Sequence, residues 1–466
     1  MATSSKVSKG YERIPHAVAI LFGIIVFVTV LTYLLPSGNY ERILVDGRNR
    51  VIPGSYETVP SSPVGLLDMF VAIPLGFKQA VDIIFIVLAG GIMFGIMNRS
   101  MAIENSIGSL VRVMGLRRKY LLVIIMTYFY GLLGIAVGYE NNIAMVPIAA
   151  VLSLAIGGDL ILAAGMAVGA MTIGFGLSPI NAYTVGTGHR IAELPLFSGA
   201  GLRTVLCFTA LGIMAFYNVR YLRRISKEDS LSLGRNLDST GIQLSKPISD
   251  YQMSASSWWV LGIFILGLLT ILYGVFRLDW YINQLSAIFL MIALASALVT
   301  RMSANTISET LLQSVALAAP GAFMVGFATS IKVIMDMGNI SDTISYQMAQ
   351  LLEGLPIYAA AISMSISQCV INLFIPSGSG QALATLPVMI PLGEVLGLTR
   401  QTTILAFQIG DGVTNLLNPT LGGLIAMLSM CRVPFDRWLR FIFPVALSVL
   451  GMALLFLIFA VAVGYQ

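Results

Sequence analysis

Charge is the first thing this sequence lacks. Only 11% of its 466 residues are charged, where a soluble globular chain carries about 25%. An ordinary water-soluble globule is thereby excluded, because 57% of the residues are hydrophobic and the surplus apolar surface must face lipid. Histidine is nearly absent: His16 and His189 are the two in the chain, so a zinc site is not expected. The three cysteines, Cys207, Cys369 and Cys431, lie far apart in or beside apolar runs, with neither metal nor disulfide spacing, and read as small core-filling thiols. No small-residue cleavage pattern follows the first apolar run, Ala17 to Leu35, which is long enough to span a bilayer. A nucleophile–base pair is also missing, which argues against a membrane-embedded enzyme. The net charge of +5 is no nucleic-acid signature, because the basic residues gather in particular loops, as they do when they set topology.

What is present is a series of long apolar runs separated by short charged clusters. At about 20 residues per span plus loops, the length allows roughly nine to twelve crossings. The expected fold class is all-α: a polytopic inner-membrane protein. A basic tail (Lys6, Lys9, Arg13) ahead of the first run keeps the N-terminus in the cytoplasm. Ser37 to Ala80 is then external and polar, ending in an amphipathic stretch from Val64. Val81 to Asn98 returns inward to a loop whose Arg99, Arg112, Arg117, Arg118 and Lys119 outnumber Glu104.

Tyr120 to Gly157 is apolar but interrupted by Gly138-Tyr139-Glu140-Asn141-Asn142. A glutamate and two amides on a lipid-facing helix are very costly. Two half-helices meeting at a buried polar tip remove that cost, because irregular backbone is tolerated inside protein. The reading is a re-entrant hairpin from the cytoplasm, leaving at Gly157-Gly158-Asp159. Leu160 to Leu177 is the next helix, broken at Ser178-Pro179, and the crossing is complete by Leu196. Val205 to Tyr221 returns to Arg220, Arg223 and Arg224.

The chain divides into a first repeat (1–224), a polar cytoplasmic linker (225–256), and a linking helix with a second, inverted repeat (257–466). In the second half Trp258 to Phe276 and Leu285 to Thr300 cross. An amphipathic stretch, Thr306 to Leu317, precedes a crossing from Phe323 to Met335, and Asn339 to Leu355 is interfacial. Tyr358 to Gly397 is a second hairpin, entering from outside, with Pro376-Ser377-Gly378-Ser379-Gly380 at its tip. Thr402 to Leu417 is broken at Asn418-Pro419. The basic segment Arg432 to Arg440 lies inside, and Phe441 to Val463 crosses last.

The two hairpin-plus-broken-helix units align without a gap at an offset of 240 residues: Gly138 with Gly378, Pro147 with Pro387, Gly157 with Gly397, and Leu177-Ser178-Pro179 with Leu417-Asn418-Pro419. Both polar tips and both helix breaks coincide. An odd number of crossings separates the units, so they are inverted. Paired interruptions at corresponding positions of two halves point to a transporter site near mid-membrane.

Ser178-Pro179 and Asn418-Pro419 read as helix starts, with Ser or Asn as N-cap and Pro at the first helical position. With the second arm of each hairpin they bring four helix N-termini together, whose free N–H groups favour a carboxylate or other small anion. The bland alternative is a pair of structural kinks. Gln408, Asp411, Asn415 and Asn418, at i, i+3, i+7 and i+10, stay close to one helical face. A buried carboxylate beside amides suits a sodium ion, a proton or a cationic group on a substrate. The matching positions in the first half are Val168, Met171, Phe175 and Ser178, so this acidic device is asymmetric. Asp411 and Glu140 each also admit a purely structural, hydrogen-bonded role. His189-Arg190 and Glu193 are within reach of a substrate carboxylate or form an external-end salt bridge, and Lys332 reads as a snorkelling side chain.

With Glu140-Asn141-Asn142, Pro376-Ser377-Gly378-Ser379-Gly380-Gln381-Ala382, Gly410-Asp411-Gly412-Val413-Thr414-Asn415 and Asn418-Pro419-Thr420, the chain resembles the YfcC-like group of the C4-dicarboxylate anaerobic carrier (DcuC) family. The resemblance covers nearly the whole chain, including Leu35-Pro36-Ser37-Gly38 and Pro53-Gly54-Ser55-Tyr56. It implies the ion transporter superfamily fold: a scaffold domain, a mobile domain with two hairpins, an elevator-type mechanism and a homodimer. It also implies a secondary carrier of a dicarboxylate or short-chain carboxylate, or an amino-acid antiporter of the arginine–ornithine type; an ion channel is the alternative of a different class. The substrate-binding candidates are Glu140, Asn141, Asn142, Ser178, Asn181, Ser377, Gly378, Ser379, Gly380, Asn418 and Thr420. The ion-coupling candidates are Asp411, Thr414 and Asn415. No cofactor is expected beyond Na+ or H+ as coupling ion, and the partners are a small-molecule substrate and the lipid bilayer, with no nucleic acid.

Overall fold

The computed structural model describes residues 17–45, 48–52, 54–137, 139–242, 250–278, 280, 282–352 and 354–466. Helix α1 (Ala17–Leu34) leads into four short strands, β1 (Gly38–Asn39), β2 (Arg42–Val45), β3 (Arg48–Val51) and β4 (Glu57–Thr58), paired antiparallel as β1–β4 and β2–β3. Sequence reading did not foresee these strands. They are followed by α2 (Leu66–Gln79), α3 (Val81–Arg99) and α4 (Ala102–Met114). Helix α5 (Lys119–Val137), a 3-10 turn (Glu140–Met145) and α6 (Val146–Ala155) make the first hairpin. The next helix runs as α7 (Leu160–Ala164), a π-type turn (Gly165–Gly169) and α8 (Ala170–Gly176). After the break come a second π-type turn (Ala182–Gly186), α9 (Thr187–Ile191) and α10 (Ala200–Lys227).

The second half holds α11 (Ala255–Arg277), α12 (Ile282–Val299), α13 (Ala304–Met337) and α14 (Ser341–Gln350). Helices α15 (Ile357–Phe374) and α16 (Gly378–Val395) form the second hairpin, and α17 (Arg400–Thr414), α18 (Gly422–Met430) and α19 (Phe435–Ala462) follow. Six of these helices are long and apolar enough to cross a membrane, and five shorter apolar ones accompany them. One expectation is corrected. The stretches 306–317 and 323–335 are a single helix, because Pro320 sits inside α13 without ending it. Neighbouring helices and local adjustment satisfy the backbone that a proline frees in an apolar helix.

Two groups of helices are apparent. In the first, α13 lies along α1, α2 and α3, and α12 along α3. Close approach requires glycine here: a Cβ on Gly76 would come 2.6 Å from the Ser330 amide nitrogen of α13, and one on Gly91 2.9 Å from Ala318. In the second group α5 packs on α8 and α10, α15 and α16 pack on α17, and α19 closes against α10 and α17.

The linker touches both groups. Asp159, which caps α7 at the Leu162 amide (2.8 Å), also accepts from Tyr221 Oη (2.6 Å), Ser232 Oγ (2.6 Å) and the Gly234 amide (3.1 Å). Arg437 at the start of α19 donates to Leu233 O. Further along, Arg432 donates to Thr240 O (2.7 Å), Asn98 of α3 donates to Gly241 O (3.2 Å), and Tyr251 donates to Glu104 of α4 (2.7 Å). Hydrogen bonds from Thr240 hold the exposed Asp238 carboxyl below the usual carboxylate range.

Candidate functional site

Each hairpin is closed by polar side chains near its tip. In the first, Tyr130 Oη of α5 donates to Met145 O (2.8 Å) and Asn142 Nδ2 donates to Leu133 O (3.1 Å). In the second, Gln381 Nε2 of α16 donates to Gln368 of α15, at its backbone oxygen (2.9 Å) and its Oε1 (2.7 Å). The local geometry then repeats at the offset read from the sequence. Gly157 and Gly397 both turn the chain with positive φ, at +79° and +86°, which glycine adopts without strain. The Gly158 amide donates to Ser153 O and the Leu398 amide to Gly393 O; Asp159 caps α7 and Thr399 caps α17.

The two breaks also match, though not as helix starts. Ser178 Oγ accepts from the Ile180 amide (3.2 Å), and Asn418 Oδ1 accepts from the Thr420 amide (2.9 Å). These are side-chain turns around a proline, the conformation Ser and Asn favour when a helix cannot continue. Helical structure resumes only at Ala182, where Asn181 Oδ1 accepts from the Tyr183 and Thr184 amides, and at Gly422. The first halves of the broken helices cross at Gly176 and Gly412. A Cβ on Gly412 would stand 2.6 Å from the carbonyl carbon and oxygen of Gly176, so only two glycines allow this contact.

Asp411 is fully buried in the last turn of α17, ahead of the second break. Its Oδ1 accepts from Asn372 Nδ2 (2.8 Å), and Asn418 Nδ2 donates to Asn372 Oδ1 (2.8 Å). The other oxygen, Asp411 Oδ2, has no hydrogen-bond partner among the described residues, nor do Thr184 Oγ1 and Asn415 Oδ1, which are also buried. Gly378 lies between two of these residues: a Cβ there would collide with the Thr184 methyl, Cγ2, and lie 3.4 Å from Asp411 Oδ2. Three buried oxygens without donors, one of them a carboxylate oxygen, favour a cation or a proton.

In front of Gly378 lies a cavity of 180 Å³. Tyr139 from the first tip, Phe175 and Tyr183 from either side of the first break, Ser377, Gly378 and Ser379 from the second tip, and Asn415 and Leu421 at the second break all line it. Ile83 of α3 and Ile282 of α12 close it from the other helix group. Among the described residues, no Lys, Arg or His lines it. The anion-favouring group is the start of α16, whose first N–H groups have no helical acceptor. Three aromatic rings form one wall, with Tyr139–Phe175 and Phe175–Tyr183 centroids 5.7 and 6.5 Å apart. A second cavity of 470 Å³ lies behind the same tip, lined by Gly380 together with Asn39, Arg42, Lys332 and Asp342.

Of the residues singled out in the sequence, Ser377, Gly378, Ser379 and Asn415 line the inner cavity, while Gly380 faces the second one. Asn142, Ser178, Asn181, Asn418 and Thr420 are buried and hold tips and breaks in shape; Thr420 Oγ1 donates to Leu373 O (3.0 Å). Thr414 is buried beside Cys369. The side chains of Glu140 and Asn141 lie outside the described residues. His189 is fully buried between Gln401 Oε1 (3.2 Å) and the Phe197 amide (2.9 Å), away from the cavity. Glu193 meets Arg400 at 3.6 Å, and Lys332 pairs with Asp336 at 3.0 Å. Sequence reading missed Thr184, the aromatic wall, Arg203 and the amides Gln368 and Asn372. The amides had a signal, since uncharged polar residues within an apolar run need an internal partner; the aromatics had none.

The family model of the C4-dicarboxylate anaerobic carrier, DcuC, matches residues 14–462. The chain is 29% identical to the "Putative basic amino acid antiporter YfcC" of Escherichia coli K12, over 99% of this chain and 97% of that one. It is 25% identical to an uncharacterized protein of Haemophilus influenzae, over 97% and 98% of the two chains. Among solved structures it is similar to the YdaH transporter of Alcanivorax borkumensis (17% identity, TM-score 0.46, covering 97% and 99%). It is also similar to MtrF of Neisseria gonorrhoeae, reported within a class of antimetabolite efflux pumps (16% identity, TM-score 0.45, covering 96% and 95%). With the family model matched from end to end of its apolar helices, the chain belongs to the C4-dicarboxylate anaerobic carrier family of membrane transporters.

Proposed function

We propose that this protein is a secondary active carrier that moves a small carboxylate-bearing metabolite across the bacterial inner membrane together with Na+ or H+. The observation that carries the reading is the inner cavity: residues at or beside both tips and both breaks border 180 Å³ of space, with the unpartnered Asp411 oxygen directly behind Gly378. In this mechanism the substrate carboxylate takes the free N–H groups at the start of α16, and the coupling cation takes Asp411 Oδ2 with Thr184 and Asn415 as further oxygen donors. The cavity is below the ~300–1,000 Å³ typical of drug-sized ligands, which favours a substrate of few heavy atoms.

The matched hairpins and turns support two inverted units. The division into two helix groups that meet at the cavity supports an elevator, in which hairpins and broken helices move as one body along α3, α12 and α13. Purified protein in liposomes, offered dicarboxylates, monocarboxylates and amino acids with and without Na+ and pH gradients, tests the reading. Saturable uptake driven by one gradient supports it; no uptake of any of them, or flux that never saturates, removes it.

A second reading, an amino-acid antiporter, is favoured by the aromatic wall, because aromatic faces attract a cationic group. The name of the Escherichia coli relative points the same way. Phe175→Leu and Tyr183→Leu then raise KM for a basic amino acid more than for a monocarboxylate, and equal effects on both argue against it.

A further inference from the structure

Arg203, on α10, is completely buried, and among the described residues no carboxylate lies within ion-pair distance of it. A buried guanidinium is expensive to keep unless its donors are satisfied. Here they are satisfied by neutral groups: Nε donates to Gln408 Oε1 (3.1 Å), Nη2 to Gln401 Oε1 (2.8 Å) and Nη1 to Ser198 O (2.9 Å). The guanidinium also lies 5.6 Å from the centre of the Tyr465 ring.

We infer that Arg203 is a positioning residue for the transport site, acting through Gln408 on the first helix break. The reason is chemical. A guanidinium has donors and no acceptor, whereas a primary amide carries both and is able to present either end. Against Arg203, Gln408 must present its oxygen, so its NH2 group points the other way. It donates there to the Ser178 carbonyl at 2.7 Å, at the point where the chain has left α8. Gln401 is oriented by the same rule: its oxygen faces Arg203 and its Nε2 donates to Ser198 Oγ (2.5 Å).

A cation on α10 therefore fixes two amides on α17, and one of them fixes the backbone of the break. Beyond that break lie Asn181, which caps the next segment, Tyr183, which lines the cavity, and Thr184, whose methyl packs against Gly378. Gln408 stands one turn before Asp411, so the break and the acid share one register.

The inference rests on the transport reading above, and the test separates the two. In the full-length protein, Gln408→Glu keeps an oxygen for Arg203 and adds an opposite charge, so thermal stability is held or raised. It removes the N–H that holds Ser178 O and sets two oxygens against each other. With the substrate found by liposome uptake, the expected result is a KM, or a half-saturating cation concentration, raised about fivefold or more, with melting temperature unchanged or higher. Arg203→Lys, which keeps the charge but not the fork, is expected to shift the same constant in the same direction by less than Arg203→Gln. If Gln408→Glu transports with wild-type constants, or loses stability and maximal rate together with KM unchanged, the inference is overturned. If the wild-type protein moves nothing, the transport reading fails instead.

Discussion

The crossing of Gly176 and Gly412 makes the sharpest stability prediction. Alanine is ordinarily the better helix residue, by about 1 kcal/mol over glycine, so Gly412→Ala within α17 would stabilise the protein if space were available. It is not available. The new methyl would stand 2.6 Å from two backbone atoms of Gly176, and ordinary Cβ contacts begin near 3.4 Å, a difference of 0.8 Å. The obstacle is main chain, so no rotamer relieves it and the two helices must part. Overpacking of this kind costs about 1–3 kcal/mol, occasionally more. That corresponds to a fall in melting temperature of about 1–3 °C for a chain of 466 residues. Gly451→Ala on α19, where the methyl would meet nothing within 4 Å, is the control and should be neutral or slightly stabilising. Gly176→Ala should behave like Gly412→Ala. The double variant should cost less than the sum, because the helices part once for both methyls. Thermal unfolding in detergent, followed by size-exclusion chromatography of the surviving fraction, reads all four. A Gly412→Ala protein as stable as Gly451→Ala, or costs that add in full, would refute the close crossing and with it the placement of the two breaks.

Asp411→Asn should fold, because Asn372 still finds an oxygen at that position, but uptake should lose its dependence on the Na+ or pH gradient. Wild-type coupling in that variant removes the cation site. Gly378→Ala should depress uptake through collision with Thr184, and adding Thr184→Ser, which deletes the obstructing methyl, should restore part of it; no recovery means the tip is blocked elsewhere. Asp159→Ala should destabilise by about 3 kcal/mol, since it deletes a helix cap and three further acceptor contacts, whereas Thr399→Ala at the matching turn, which deletes a cap and one hydrogen bond to Tyr465 O, should cost less, about 2 kcal/mol. Denaturation of the two variants side by side checks the difference, and equal losses would contradict it.

Much of this architecture was legible in the sequence because lipid punishes polar groups so consistently. Glu140 and its neighbours, and the Ser-Gly-Ser-Gly run, interrupt apolar stretches, and each stretch is divided into two helices at that point. The offset between Gly157 and Gly397 was readable from letters alone and reappears in φ angles and caps. Less legible was anything decided by neighbours. Pro320 looks like a boundary but sits within a continuous helix. Ser178 and Asn418 carry the letters of a helix cap, and their side chains instead close turns two residues long. Phe175 and Tyr183 are indistinguishable from lipid-facing aromatics until the break folds them toward Tyr139. Arg203 lies in an apolar run where a snorkelling arginine would look the same.

The linker carries one more consequence. Ahead of Ile242 it is fastened by Asp159, Tyr221, Arg437 and Asn98, and beyond Asp250 Tyr251 is held by Glu104, so neither end depends on the peptide chain between Ile242 and Asp250 to stay in place. Severing the polypeptide in that interval, or producing the two halves as separate chains in one cell, should leave partners that find each other and assemble into a working whole.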